Sequence, residues 1–184
     1  MNYDFTPFYI PKTIALIGLM GVGKSTIGIR LAKELGRLFF DSDQEVEKAA
    51  GGHSVADIYA QWGESVFKDA ERNVIQRLLQ KQPKHVLSTG EGAFIDAQTR
   101  SILQENTLTV WLKSDVKTLV SRVQRKTRPQ LLEGNAEEIL EGLVQERYPI
   151  YQKADICVES NDEYYHNAVE RVLAALKEFL YPAS

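Results

Sequence analysis

The stretch Gly18-Leu19-Met20-Gly21-Val22-Gly23-Lys24-Ser25 sets a glycine-rich turn, a lysine and a hydroxyl in the order G-x-x-x-x-G-K-S. Glycines let successive backbone N–H groups turn inward around an anion, and the positive end of a following helix adds to the field. Lys24 supplies a point cation for β- and γ-phosphates, and the Ser25 hydroxyl can ligate Mg²⁺. Gly21, Val22, Gly23, Lys24, Ser25 and Thr26 are therefore the expected nucleotide contacts. The bland alternative is a strand–helix turn with a chance lysine, but the apolar run before the motif and the helical pattern after it supply the required context. A second constellation, Phe39-Phe40-Asp41-Ser42-Asp43, places two carboxylates at the C-terminal end of an apolar run, where open α/β sheets bind ligands. Asp41 can hold Mg²⁺ through water, and Asp43 can accept hydrogen bonds from substrate hydroxyls. Either can equally cap the next helix.

Such residues need a scaffold that brings strand ends together, and the hydrophobic pattern provides one. Thr13–Gly18 reads as a buried parallel strand, followed by helical periodicity from Lys24 to about Leu35 that stops at Gly36. Leu38–Phe40, His85–Thr89, Thr107–Leu112 and Asp155–Glu159 read as four further strands. Helical patterns cover Glu64–Lys81, Asp96–Glu105, Asp115–Arg125, Ala136–Lys153 and Asp162–Leu180. This alternation predicts a three-layer α/β domain with a five-stranded parallel sheet. Residues 44–81 carry successive helical pieces with no strand between them, and Thr127–Asn135 is a polar segment between helices. Both are natural places for substrate-gripping and lid elements.

Composition narrows the class. A chain of 184 residues with no Pro/Gly/Ser-rich linker is one domain's worth, residues 1–184. Its 22 basic and 25 acidic side chains leave a net charge of -3, which argues against a protein that coats nucleic acid or an anionic membrane. The single cysteine, Cys157, rules out an intrachain disulfide and is expected to be an inert hydrophobe in a buried strand. No signal-peptide pattern opens the chain and no apolar run spans a bilayer, so a cytoplasmic protein is the default. Trp62 and Trp111 are expected in the core or the pocket wall. His53, His85 and His166 are scattered and suit capping, surface or core roles.

At this point the sequence resembles the shikimate kinase family, from about Thr13 to Ser160. The resemblance rests on the phosphate loop, the Asp41/Asp43 pair, Gly63-Glu64-x-x-Phe67 leading to Glu71, and Ser88-Thr89-Gly90. It continues through Arg128-Pro129 and Glu146-Arg147-Tyr148-Pro149-x-Tyr151. It implies a P-loop NTPase fold of the nucleoside-monophosphate-kinase type, with a substrate-binding insertion at about 44–81 and a lid at about 125–136. It also implies ATP and Mg²⁺ as cofactors and phosphorylation of the shikimate 3-hydroxyl in aromatic amino acid biosynthesis, by a monomer with no nucleic-acid or membrane partner. By the same resemblance Asp43 grips the shikimate hydroxyls, Asp41 organises Mg²⁺ and poises the attacking hydroxyl, Arg147 binds the substrate carboxylate, and Arg128 closes over the phosphates. Lys24, Asp41 and Arg128 are thus the expected catalytic residues, and Asp43, Lys68, Gly90, Glu91, Gly92 and Arg147 the expected acceptor contacts.

Two positions depart from the family pattern. Where F-R-x-x-E is usual, the chain reads Phe67-Lys68-Asp69-Ala70-Glu71, with Glu71 placed to steer Lys68. Lysine keeps the charge but loses the planar fork, a loss of about 1–2 kcal/mol for one charged hydrogen bond. Where G-G-G is usual, the chain reads Gly90-Glu91-Gly92. A carboxylate there faces an anionic substrate unless it turns to solvent or pairs with Lys68 or Arg147. These departures keep two alternatives open: a related kinase acting on gluconate or an aminoshikimate, and a catalytically impaired protein that binds nucleotide without turnover. The run Val116–Leu132 is basic without an acid; Arg125 flanks the expected lid with Arg128.

Overall fold

The computed structural model describes residues 8–125, 135–161 and 165–182, without the side chains of Arg125 and His166. The sheet has five parallel strands in the order β2-β3-β1-β4-β5. They are β1 (Thr13–Ile17), β2 (Phe39–Asp41), β3 (Val86–Ser88), β4 (Thr107–Lys113) and β5 (Ile156–Glu159). The central strand β1 is buried at every position, which is why its sequence is a continuous apolar run rather than an alternating one. In register, Leu16 sits beside Ser88 and Val110, so three neighbouring strand ends open onto one edge.

The helices are α1 (Lys24–Glu34), α2 (Ser42–Ala49), α3 (Val55–Lys81), α4 (Ala97–Asn106), α5 (Val116–Arg125), α6 (Ala136–Tyr151) and α7 (Tyr165–Leu180). Helix α1 packs on α7, and α3 packs on α4. Right-handed crossovers from this strand order put α1 on one face of the sheet and α3 and α4 on the other, and α7 joins the first face by packing on α1. The expected three-layer α/β class with a five-stranded parallel sheet is the observed one. Gly36, at φ 60, ends α1 as its sequence position predicts. The region 44–81 is indeed helical pieces: Ser54 caps α3 in a reciprocal arrangement with Asp57, and Gly63 (φ 85, ψ 171) breaks the helix into two segments.

Three expectations are corrected. Cys157 is exposed rather than buried, because β5 pairs only with β4 and its burial alternates along the strand. Trp62 is neither core nor pocket wall; it is 47% exposed and forms an edge-to-face ring pair with His53, at 5.3 Å between ring centres. Strand β2 runs one residue later than predicted and ends on Asp41 itself, since the following Ser42 already opens α2. Trp111 is buried as expected, with Tyr148 packed on it at 4.9 Å. His85 is fully buried, its Nδ1 2.8 Å from the Pro83 carbonyl.

The strand-to-loop exit is the least tolerant point of this frame. Gly18 has φ +142, and a Cβ there would lie 2.6 Å from the Leu112 carbonyl oxygen, a backbone atom that cannot step aside. Gly18→Ala is therefore expected to destabilise the protein by about 2–3 kcal/mol. Urea unfolding checks this; an unchanged midpoint would contradict it.

Candidate active site

A cleft of about 1080 Å³ opens at the C-terminal edge of the sheet and holds most of the residues singled out in the sequence. Its floor is the phosphate loop, with Gly21 at φ 80 and Gly23 at φ 97, backbone shapes that favour glycine. Gly23 caps α1 without any side-chain hydrogen bond, so the helix's first-turn N–H groups face the cleft. Lys24 Nζ lies back across the loop, donating to the carbonyls of Gly18 (2.7 Å) and Leu19 (3.1 Å). Thr26 also lines the cleft. Val22 does not: its side chain is buried, and its carbonyl accepts from Arg122 (3.1 Å) and Ser160 (3.2 Å). Its part is to anchor the loop from below.

Of the roles its sequence position left open, Asp41 takes that of helix cap, and it also joins the phosphate-loop helix. Its Oδ1 accepts from the Asp43 N–H at 3.1 Å and so caps α2, while its Oδ2 accepts from the Ser25 hydroxyl at 2.7 Å. Ser25 also approaches Ser88 at 3.3 Å, which places the ends of β2 and β3 and the start of α1 within one set of contacts. A serine hydroxyl beside one carboxylate, next to a phosphate cradle, suits Mg²⁺, which takes few protein ligands and relies on phosphate oxygens and water. Among the described residues no group of three or more acidic, histidine or cysteine side chains is placed to hold a metal ion.

The far wall is the acceptor side. Burial, then the charge of Asp41, pushes the Asp43 carboxyl up to about 6, against the pull of Lys24. Glu71 is only 2% exposed, and burial pushes its carboxyl up to about 7, with Asp43 adding to the effect. Its Oε1 accepts from the Ser42 hydroxyl at 2.8 Å and from the Gly90 N–H at 3.1 Å, and Ser42 Oγ accepts that same N–H at 2.8 Å. A Cβ on Gly90 would collide with the Glu71 carboxylate and sit 2.7 Å from Asp43 Oδ1, whereas one on Gly92 would meet nothing within 4 Å. Of Gly90-Glu91-Gly92, then, Gly90 is the position that close approach reserves for glycine.

Helix α6 brings in Arg147, with a side chain 18% exposed. Burial works against its charge, but Glu91 and then Tyr151 outweigh that and hold its guanidinium above the ordinary value. Glu91 takes one of the courses open to it: its Oε1 lies 3.1 Å from Arg147 Nη1. The helix is pinned by Tyr148, whose hydroxyl donates to the Ser114 carbonyl, and by Tyr151, whose hydroxyl donates to the Glu91 carbonyl at 2.7 Å.

Lys68 is corrected. It is not steered by Glu71; its ammonium pairs at 2.7 Å with Glu64, a residue of the cleft wall. The reason is burial: Glu71 points into the core while Lys68 stays 40% exposed on another face of α3. Arg128 and the expected lid between 126 and 134 lie outside the described residues. The sequence reading missed Ser42, Glu47 and Tyr59, and saw Glu71 only as a partner for Lys68. A signal for Glu71 was present: it sits at helical spacing among Phe67, Val74, Ile75 and Leu78, an acid on an apolar stripe.

The shikimate kinase family model matches residues 20–177. The chain belongs to the shikimate kinase family. A shikimate kinase of Caulobacter vibrioides is 49% identical over 168 residues, 91% of this chain and 83% of that protein. One from Paramagnetospirillum magneticum is 48% identical, covering 93% of this chain and 87% of that one. Among solved structures, a shikimate kinase from Acinetobacter baumannii in complex with shikimate superposes with a TM-score of 0.80 at 34% identity, covering 88% of this chain and 90% of that chain. The expected P-loop kinase fold and family are therefore the observed ones.

The buried acids give a shikimate-kinase site a pH signature. Folded-state values raised to about 7 for Glu71 and about 6 for Asp43 mean the native state holds protons that the unfolded chain releases. That stability is present at acidic pH and is lost as pH rises through the folded values. Urea midpoints should fall between about pH 5 and pH 8, and Glu71→Gln should flatten the fall. A midpoint that rises over this range, or a slope unchanged by the substitution, would contradict it.

Proposed function

We propose that this chain transfers the γ-phosphoryl group of ATP to the 3-hydroxyl of shikimate, releasing ADP and shikimate 3-phosphate. The observation that carries the reading is the convergence of phosphate loop, Asp43 and Arg147 on one cleft. The loop's N–H groups and Lys24 hold the β- and γ-phosphates, with Gly21, Gly23, Ser25 and Thr26 around them. Ser25 and Asp41 hold Mg²⁺, which when bound screens the phosphate charge. The shikimate carboxylate sits on Arg147, and the ring hydroxyls donate to Asp43 between Gly90 and the phosphate loop.

Catalysis then comes from position and charge rather than covalent chemistry. Asp43 accepts a hydrogen bond from the attacking hydroxyl and orients its oxygen toward the phosphate cradle. Lys24 swings from its loop carbonyls to the transferring phosphoryl group and stabilises the charge that develops there. Arg128 is proposed, on resemblance, to add a second cation from the lid. The reading takes the protein as a monomer, since one chain supplies both halves of the cleft, and as cytoplasmic, where ATP is abundant. No helix among the described residues is long and apolar enough to cross a membrane.

A coupled ADP-release assay over a panel of hydroxy acids tests the function. Turnover with shikimate supports it; turnover with another acid and none with shikimate contradicts it. Because the Asp43 carboxyl lies near 6, kcat/KM should rise with pH through that value as the carboxylate forms. Asp43→Asn should lower kcat/KM by about 10²–10⁴-fold and remove that rise. A variant retaining the wild-type profile would show that Asp43 is not the group that titrates.

A further inference from the structure

Glu91 has a backbone held on several sides and a side chain that is not. The Gly90 N–H is fixed on Ser42 and Glu71, the Glu91 carbonyl accepts from Tyr151 at 2.7 Å, and the Ala93 N–H closes a turn on the Gly90 carbonyl at 3.2 Å. From this turn the Glu91 side chain reaches into the cleft and stops 3.1 Å from Arg147 Nη1. The contact is close but poorly aligned. Glu91 Oε2, Arg147 Nε and Arg147 Nη1 are buried and make no well-aligned hydrogen bond. A full-strength guanidinium–carboxylate pair makes two parallel N–H···O bonds, and this pair has ion-pair distance without that alignment.

The surroundings make the contact consequential. Among the described residues lining the cleft, Lys24 and Arg147 are the cations, and Lys24 lies at the phosphate loop. Against them stand Asp41, Asp43, Glu47 and Glu91, while Glu64 is paired with Lys68. An entering carboxylate thus finds its one nearby guanidinium neutralised by a carboxylate already in place.

We infer that Glu91 is an internal surrogate for the acceptor's carboxylate: it occupies Arg147 in the free protein and must leave before the acceptor can bind there, so that it sets acceptor affinity. The inference rests on the acceptor reading proposed above. Two like charges beside one guanidinium repel, so binding and displacement are coupled. The poor alignment of the Glu91–Arg147 pair favours the exchange, because a carboxylate approaching from the cleft is free to align with the fork while the tethered Glu91 is not. Glu91 acts through Arg147 and is a positioning residue, so its removal alters binding and leaves the transfer step alone.

The test is steady-state kinetics, with direct titration of shikimate, on wild type, Glu91→Gln and Glu91→Gly, each confirmed folded by circular dichroism. Glutamine keeps the shape and removes the charge; glycine removes the side chain. Both KM and Kd for shikimate should fall about tenfold, with kcat within about twofold. The gain should vanish for an analogue that keeps the ring hydroxyls and lacks the carboxylate. Unchanged or weaker shikimate binding in both variants would overturn the inference, as would an equal gain with the decarboxylated analogue. Should wild type turn over another carboxylated acceptor and not shikimate, the acceptor reading alone fails, and the same comparison on that acid decides the role of Glu91.

Discussion

The 2.7 Å hydrogen bond from Ser25 to Asp41 joins the two halves of the site. Ser25 stands in the first turn of α1, directly after the phosphate loop, and Asp41 ends β2 and caps α2. Everything on the nucleotide side is thereby set in distance from everything on the acceptor side. The parallel sheet makes this possible, since β1, β2 and β3 all finish at the same edge and release their chains into loops there. Ser25 and Asp41 are also the residues that would hold Mg²⁺, which would supply charge screening at the phosphates.

The acceptor side is built on a different principle, that of buried acids held apart by donors. Glu71 would be costly in the core alone, but the Ser42 hydroxyl and the Gly90 N–H satisfy it, and part of the cost is met by proton uptake. In return it fixes the backbone turn that carries Glu91. Among the described residues the cleft therefore sets several carboxylates around the Arg147 guanidinium, and a ligand enters where its phosphates and its carboxylate each find a cation. Among the described residues Lys24 and Arg147 are the cations of the cleft lining, and their positions carry the selectivity.

Much of this was legible in the chain. The glycine–lysine–serine motif after an apolar strand specifies both a fold and a phosphate site, because the physics of anion binding demands that local structure. Asp41 and Asp43 were legible for the same reason, standing where a strand ends. Lys68 was misread because spacing on a helix fixes which residues are neighbours, not which face is buried; Glu64 and Glu71 were both in reach, and burial chose between them. Glu91 could be flagged as a departure, but its partner depends on how α6 docks through Tyr148 and Tyr151, contacts between residues 34 and 60 positions apart in sequence. Cys157 was misplaced because an edge strand and a central strand share the same short apolar pattern.

This cleft is proposed to deliver a phosphoryl group to one particular hydroxyl of a carboxylated acceptor. The most direct measurement is phosphorus–proton correlation NMR on the product formed from ATP and shikimate by the intact protein. The account predicts a phosphate monoester coupled to the proton on C3, accumulating in step with ADP. ADP appearing with free phosphate and no ester, or an ester at another hydroxyl, would contradict it.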